Sequence, residues 1–291
     1  MKVLGDCVRQ NACGGVSACV SPPGASCFSA TSTVHVLGQG SVKMQDLKVG
    51  DEVLTGSPGS FRYQPIFAFG HQNQDALAEF YAITVKDSKV PLEMTGEHLV
   101  YLAGKHHPVR AHTLQVGDSL VSTEGPVEIS DIKTVVKRGL YNPLTADGRL
   151  IVNGVAVSTY IALQKSNHEH YELGFGSGIK LNFVSHQTLA HLYLTPFRMV
   201  CLGVSSQLCQ AHDVEGIPYY ISVGMKILQW VGAQHMMVQL IFFLISMPIF
   251  ATLLAMEMMF GSYAALLAIY GIVLVSKNIS FLCTAKKQKS A

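Results

Sequence analysis

Charged side chains are scarce in this sequence. Of its 291 residues, 14% are charged and 49% are hydrophobic, and the formal net charge is only +2. Soluble domains average about 25% charged residues, so part of the apolar content must serve something other than an ordinary soluble core. No cluster of Lys and Arg occurs before the last few residues. Nucleic acid is therefore not expected as a partner.

The N-terminus lacks the long apolar run of a secretory signal peptide, because the run that begins at Met1 stops at Asp6. Entry into the secretory route would then need either a truncated N-terminus or a C-terminal apolar segment that directs it. Residues 1–26 read as an irregular arm, the end of an upstream segment. Three cysteines recur there at six-residue steps, Cys7, Cys13 and Cys19. They are either the remnant of a disulfide-bearing module or unpaired thiols in a loose arm.

Short β-type runs separated by turn signals fill residues 27 to about 159. One stretch repeats: VKMQDLKVGDEVLT (Val42–Thr55) returns 67 residues later as VRAHTLQVGDSLVS (Val109–Ser122). Gly-Asp between two apolar runs predicts a turn, since glycine accepts a positive φ and aspartate can bond back to the backbone. The same turn residues in both copies predict a duplication that gives two related β subdomains.

The pattern becomes helical and strongly apolar toward the C-terminus. Ser185–Met199 and Gly216–Val231 mix aromatic and aliphatic residues at helical spacing. Residues 238–276 then contain one charged side chain, Glu257. A single helix of that length would extend about 58 Å, roughly twice the apolar thickness of a bilayer.

We therefore expect a break near Glu257–Ser262 and a membrane hairpin of two helices, Leu240–Met256 and Phe260–Ser276. The alternative is one crossing followed by a shallow interfacial piece. Glu257 should lie at a membrane interface, because a charge at mid-bilayer is costly. The basic tail, residues 277–291, fits a cytosolic flank.

A cysteine stands where the irregular arm meets the first β-type run, in GASCFSAT (Gly24–Thr31). The later stretch LEMTGEHLVYL carries Thr95 and His98 three residues apart. A thiol at the start of a domain can attack the peptide bond just before it, here at the carbonyl of Ser26. A histidine can protonate the departing nitrogen, and a threonine can hold the peptide. Cys27, Thr95 and His98 are thus expected to form one catalytic site.

These residues resemble the C-terminal autoprocessing part of hedgehog-type proteins, a Hint module related to inteins. The resemblance rests on Cys27-Phe28, on the two Val-Gly-Asp turns, on TGEH at Thr95–His98, and on YNPLTADGRLIVNGVAVSTY at Tyr141–Tyr160. It implies an all-β horseshoe of two pseudo-symmetric subdomains over residues 27–160. A region similar to the family's adduct- or sterol-recognition region, residues 161–237, follows it.

The sequence departs from the hedgehog pattern at three positions. Ser26 stands where hedgehog has glycine, which leaves room for the thiol. His71 aligns with the aspartate that activates the sterol in the family, so we expect it to act as the base for the acceptor; the alternative is a solvated turn residue. Thr159 replaces a cysteine of the closing motif. No His-Asn pair closes the module, so splicing is not expected.

The resulting hypothesis is a membrane-attached, self-cleaving protein of the endoplasmic reticulum or secretory pathway, which needs no metal or cofactor. Cys27 would form a thioester by an N-to-S acyl shift at Ser26-Cys27. Water, a sterol or another lipid hydroxyl would resolve it and release the N-terminal polypeptide. A catalytically silent, membrane-anchored binding module and a thiol protease acting in trans are the rivals. Cys201 and Cys209 are expected to be core thiols or a lipid-side pair.

Overall fold

The computed structural model describes residues 27–57, 59–88, 90–162, 170–175, 179–261, 267, 270 and 271. The N-terminal arm with Cys7, Cys13, Cys19 and Ser26, most of the second apolar segment and the basic tail lie outside the described residues. The strands are β1 (Thr33–Val36), β2 (Gly40–Lys43), β3 (Glu52–Thr55), β4 (Arg62–Pro65), β5 (Ala68–Val85), β6 (Leu92–Met94), β7 (His98–Val100), β8 (Val109–Arg110), β9 (Ser119–Ser122), β10 (Gly125–Leu144), β11 (Arg149–Val152), β12 (Val155–Ile161), β13 (His170–Phe175) and β14 (Ile179–Ser185). The helices are α1 (His186–Tyr193), α2 (Thr195–Gly203), α3 (Tyr219–Gly232) and α4 (Met236–Phe260).

The repeated sequence forms the same structure twice. In each copy a short strand leads into a 3-10 helix, Met44–Asp46 or Ala111–Thr113, and then into a turn. Gly50 and Gly117 adopt φ values of 98° and 96°, which glycine accepts at little cost. In both turns the aspartate side chain accepts a 2.8 Å hydrogen bond from a backbone N–H three residues earlier. The predicted duplication is therefore confirmed in the backbone.

The two halves are intertwined around one core. β5 and β10, of 18 and 20 residues, pair antiparallel along most of their lengths and join the halves. β1 to β12 make one antiparallel sheet, and a single cluster of buried side chains draws on both halves. Val34 and Ile66 of the first half share it with Leu120 and Ile129 of the second. The expected all-β architecture of two related subdomains is confirmed.

The region after residue 161 begins with strands instead of helices. β13 and β14 form a separate antiparallel hairpin, which the apolar pattern did not reveal. The predicted helices follow as α1, α2 and α3. α1 packs against β12, so the first of these helices lies beside the closing strand of the β module.

α4 is long and apolar enough to cross a membrane, with a mean hydropathy of 2.2 over its best window. It ends at Phe260, and Gly261 with φ 55° caps it, so the predicted break near Glu257–Ser262 is confirmed. Glu257 receives two 2.6 Å hydrogen bonds from the guanidinium of Arg198, which is buried on α2. The one charge of this helix is therefore met by the neighbouring helix.

Cys201 and Cys209 were expected to be core thiols or a lipid-side pair; both are buried, but they form a disulfide and are therefore not thiols. α2 ends at Gly203, and the 3-10 helix Ser206–Cys209 turns the chain back toward it. This return brings the two Cα atoms to 5.8 Å, within the range that a disulfide bridges. Eight residues of spacing alone do not reveal such a turn.

Candidate active site

Cys27 is held by the residue that follows it. Phe28 exchanges two backbone hydrogen bonds with Tyr141 of β10, at 2.8 and 3.1 Å. Its side chain is fully buried, and complete burial of a phenylalanine contributes about 1.5–3 kcal/mol. The Cys27 thiol is also 0% exposed, and this burial raises its pKa well above the usual value. The thiol is thus neutral and needs a base before it can attack.

Thr95 binds the nitrogen of the peptide bond expected to break. The Cys27 N–H donates a 2.9 Å hydrogen bond to Thr95 Oγ1, and the Thr95 N–H donates a 3.0 Å bond to the Cys27 carbonyl. Thr95 lies in the tight turn between β6 and β7, which is what the strand-end placement of Thr-x-x-His predicted. Both bonds fix the orientation of the Cys27 amide.

His98 begins β7 and faces the same segment. Its ring packs against that of Phe28 in a tilted arrangement, with centroids 4.2 Å apart and an interplanar angle of 56°. Its Nε2 lies 2.7 Å from the Ser158 carbonyl oxygen. Because a carbonyl only accepts, Nε2 carries the hydrogen and Nδ1 holds the lone pair. Nδ1 is buried and has no hydrogen-bond partner among the described residues. Burial lowers the pKa of His98 to about 4, which makes its imidazolium a strong acid.

His71 lies in β5, 8% exposed, so the alternative of a solvated turn residue is wrong. Its Nδ1 is 3.1 Å from Cys27 Sγ, and its Nε2 is 2.8 Å from the carbonyl oxygen of Glu215. That carbonyl requires the hydrogen on Nε2, so the Nδ1 lone pair points at the thiol. Burial lowers the pKa of His71, and the bond to Glu215 partly offsets this. A neutral imidazole therefore faces the nucleophile.

His71 also lines a cavity of about 590 Å³. Its walls are mainly aliphatic and aromatic side chains of α1, α3 and α4, including Tyr193, Leu228 and Phe250. Two buried polar atoms of cavity-lining residues, Asn142 Oδ1 and Thr159 Oγ1, have no hydrogen-bond partner in the described part of the chain. The cavity thus combines mainly apolar walls with a few polar lining residues, of which Asn142 pairs with His71 across β5 and β10.

Two contributions to the site escaped the sequence prediction. Glu93 is buried on β6 and accepts hydrogen bonds from Ser29 Oγ at 2.5 Å and from Lys137 Nζ at 2.6 Å, which anchor the segment after Cys27. A lone glutamate in the apolar run LEM was the available signal. The Glu215 carbonyl is main chain and left no signal at all.

A family model described as the Hint module matches residues 17–175, more than half of the chain. The chain belongs to the Hint family. Its relatives include Warthog protein 6 of Caenorhabditis elegans, 30% identical over 52% of this chain and 27% of the relative. Warthog protein 1 of the same species is 29% identical over 53% of this chain and 33% of the relative. Sonic hedgehog protein of Xenopus laevis is 29% identical over 52% of this chain and 37% of the relative.

The Hint chain therefore matches roughly a third of the length of these relatives. Among solved structures, the gp41-1 intein is similar with 20% identity and a TM-score of 0.39, over 46% of this chain and 98% of the intein. An intein-like domain from Clostridium thermocellum has 22% identity and a TM-score of 0.39, over 45% of this chain and 97% of that domain. Membership of the Hint family makes the matched residues 17–175 a domain of the self-processing type.

Proposed function

We propose that this Hint module cleaves its own chain between Ser26 and Cys27 through a thioester. In the first step Cys27 Sγ bonds to the Ser26 carbonyl carbon and passes its proton to Nδ1 of His71. The bond from that carbon to the Cys27 nitrogen breaks. His98, once it has taken up a proton at Nδ1, gives that proton to the leaving nitrogen. The observation that carries this proposal is the convergence of Thr95 and His71 on Cys27.

The second step resolves the thioester with an outside hydroxyl. The proton left on His71 passes to the new α-amine, whose usual pKa of about 7.7–8.0 exceeds that of a buried imidazole. Nδ1 of His71 then takes the proton of the acceptor hydroxyl and returns it to the departing Sγ. The polypeptide ending at Ser26 leaves as an acid if water is the acceptor and as an ester if a lipid is.

The cavity beside His71 supports a lipid alcohol as acceptor. Its volume of about 590 Å³ lies within the roughly 300–1,000 Å³ common for small-molecule sites. The apolar walls suit a hydrocarbon body, and the two unpartnered oxygens suit one hydroxyl group. A sterol or another single-hydroxyl lipid fits this description, and water remains the competing acceptor.

A location on membranes of the secretory route is supported by three features. α4 meets the length and hydropathy of a membrane helix, and apolar side chains of α3 and α4 are exposed, among them Trp230, Leu244 and Ile245. The Cys201–Cys209 disulfide favours an oxidising compartment. A lipid acceptor would be supplied from the same membrane.

The structure does not favour a protease acting in trans. Cys27 is completely buried, and its backbone is hydrogen-bonded to Thr95. The next residue, Phe28, is hydrogen-bonded to Tyr141. A separate substrate has no route to this thiol without displacing those bonds. The upstream peptide of the same chain is already joined to Cys27 through its backbone nitrogen.

The test of the proposed function is the intact mass of the purified chain with and without dithiothreitol. We expect the thiol to split the chain between Ser26 and Cys27 and to leave a fragment that begins with Cys27. A parallel incubation with hydroxylamine should cut at the same bond and leave a hydroxamate on Ser26, because hydroxylamine attacks thioesters without reducing disulfides. An unchanged mass under both conditions would exclude a thioester.

His71→Ala should slow both steps. The sequence assigned His71 to the second step alone, but its 3.1 Å contact with Cys27 Sγ extends the proposed role to the first. We expect spontaneous release and hydroxylamine-induced cleavage to fall by about 10²-fold, a usual effect of losing a general base. His35→Ala, an exposed histidine on β1, is the matched control and should cleave normally. Unchanged hydroxylamine cleavage in His71→Ala would restrict His71 to the second step.

A further inference from the structure

We propose that the loop Asp213–Ile217, which follows the Hint module in the chain, completes the active site by fixing the tautomer of His71. Glu215 contributes its main-chain carbonyl and acts as a positioning residue. This inference rests on the proposed roles of Cys27 and His71. It assigns a step of the reaction to the region after the module.

The tautomer decides whether His71 can act as a base toward Cys27. A neutral imidazole has one N–H and one lone pair, and either nitrogen can carry the hydrogen. With the hydrogen on Nδ1, the ring would present a donor to the thiol and could take no proton from it. The Glu215 carbonyl, 2.8 Å from Nε2, accepts a hydrogen and thereby leaves the Nδ1 lone pair facing Sγ at 3.1 Å.

The loop is built to keep that carbonyl in place. Asp213 Oδ1 accepts 3.0 Å hydrogen bonds from the backbone N–H groups of Glu215 and Ile217. The Asp213 N–H donates a 2.8 Å bond to the Ile217 carbonyl, which closes the turn. The Glu215 carbonyl also accepts a 3.2 Å bond from Asn73 Nδ2. The oxygen is thus held from within the loop and from β5.

Gly216 permits the close approach of the loop to β5. Its carbonyl accepts a 2.9 Å hydrogen bond from the Gln72 N–H, next to His71. A Cβ at this position would lie 2.2 Å from the Gln72 carbonyl oxygen, and the φ of 85° is already unfavourable for other residues. Any side chain here must push the loop away from the strand and carry the Glu215 carbonyl with it.

Both ends of the loop are anchored. On one side Cys209 is 1% exposed and bonded to Cys201 of α2. On the other, Pro218 is buried and leads directly into α3. Ile217 itself lines the cavity proposed for the acceptor. The loop therefore borders the acceptor cavity next to His71, which lines the same cavity.

The test compares Gly216→Ala with Gly104→Ala in the full chain. Gly104 has a similar φ of 80° but open space around its Cβ position, so it reproduces the backbone strain without the clash. Hydroxylamine is the cleaving reagent, because dithiothreitol would reduce the Cys201–Cys209 disulfide. We expect Gly216→Ala to lower the cleavage rate by about 10- to 10²-fold, the effect of a small misplacement of a reacting group. Gly104→Ala should stay within about twofold.

A spectroscopic measurement separates orientation from stability. In ¹⁵N-histidine-labelled chain carrying Cys27→Ala, which prevents cleavage, the imidazole shifts report the tautomer. His71 should be the Nε2–H form with the native loop and a mixture with Gly216→Ala. If Gly216→Ala does not fold, Asp213→Ala and Asp213→Asn replace it: alanine loses the acceptor for two N–H groups, and asparagine keeps it. Asp213→Asn should restore the native rate and tautomer.

The outcomes are distinct. Native rates and an unchanged His71 tautomer in Gly216→Ala or Asp213→Ala would overturn the role of the loop. Absence of cleavage in the unmodified chain would overturn the proposed function, while the imidazole shifts would still decide whether the loop fixes the tautomer.

Discussion

Cys27→Ala is expected to abolish cleavage completely. Without Sγ no thioester forms, and neither dithiothreitol nor hydroxylamine has a bond to attack. Removing one buried sulfur leaves Phe28 and its two hydrogen bonds to Tyr141 intact, so the fold should survive. The measurement is intact mass over time, alongside a thermal unfolding curve that verifies the folded state.

Cys27→Ser is the matched variant. A serine hydroxyl at this position can form an ester by the corresponding N-to-O shift, but dithiothreitol cleaves oxygen esters poorly. We expect slow cleavage with hydroxylamine and almost none with dithiothreitol. Cleavage of Cys27→Ala at the native rate would contradict the whole mechanism, since the cut would then not depend on the thiol.

His98→Ala should slow cleavage by at least about 10²-fold, the usual effect of losing a general acid. The nitrogen that leaves carries a high affinity for protons, and expelling it unprotonated is unfavourable. In the proposed mechanism His98 supplies the proton from Nδ1, the buried nitrogen without a partner among the described residues. Burial lowers its pKa to about 4, so the protonated fraction grows about tenfold for each pH unit lowered toward that value.

This pH dependence gives the His98 prediction a signature of its own. The ratio of the native rate to the His98→Ala rate should rise as the pH falls from 8 to 6, because only the native chain contains the acid. Effects of pH on the reagent and on His71 cancel in the ratio. A ratio that stays flat would mean that His98 supports the structure and does not donate the proton.

His191→Ala is the matched control for His98. His191, on α1, is half-buried, its pKa is likewise lowered to about 4, and its Nδ1 is hydrogen-bonded to the Tyr160 hydroxyl. Removing it should lower stability without a specific effect on the rate of the first step. A comparable slowing in His191→Ala would show that loss of any buried histidine is sufficient.

The features that the sequence predicted are those with a local chemical cause. Gly50-Asp51 and Gly117-Asp118 predict their turns because the positive φ favours glycine, and the hydrogen bond from a side chain to a backbone N–H favours aspartate. Thr95 and His98 were predicted to lie close together because a three-residue spacing spans one tight turn. In each case the residues that determine the structure are neighbours in the chain.

The features that it did not predict depend on contacts distant in the chain. Glu215 acts through its main chain, which every residue possesses, so no residue type marks it. Cys201 and Cys209 look the same in sequence whether free or bonded. Arg198 and Glu257 form an ion pair between α2 and α4, and their separation of 59 residues gives no sign of it in the sequence.

The order in which the residues of the proposed site are synthesised would delay the proposed cleavage. The nucleophile, Cys27, is made first, but Ser158 holds His98 and Glu215 orients His71. The last of these groups follows the thiol by 188 residues, from 27 to 215. At about 5–20 residues per second, translation needs roughly 10–40 s to cover that distance. Under the proposed mechanism, a nascent chain would carry an inert thiol until the ribosome has finished the part of the chain that orients the base, and cleavage between Ser26 and Cys27 would follow only then.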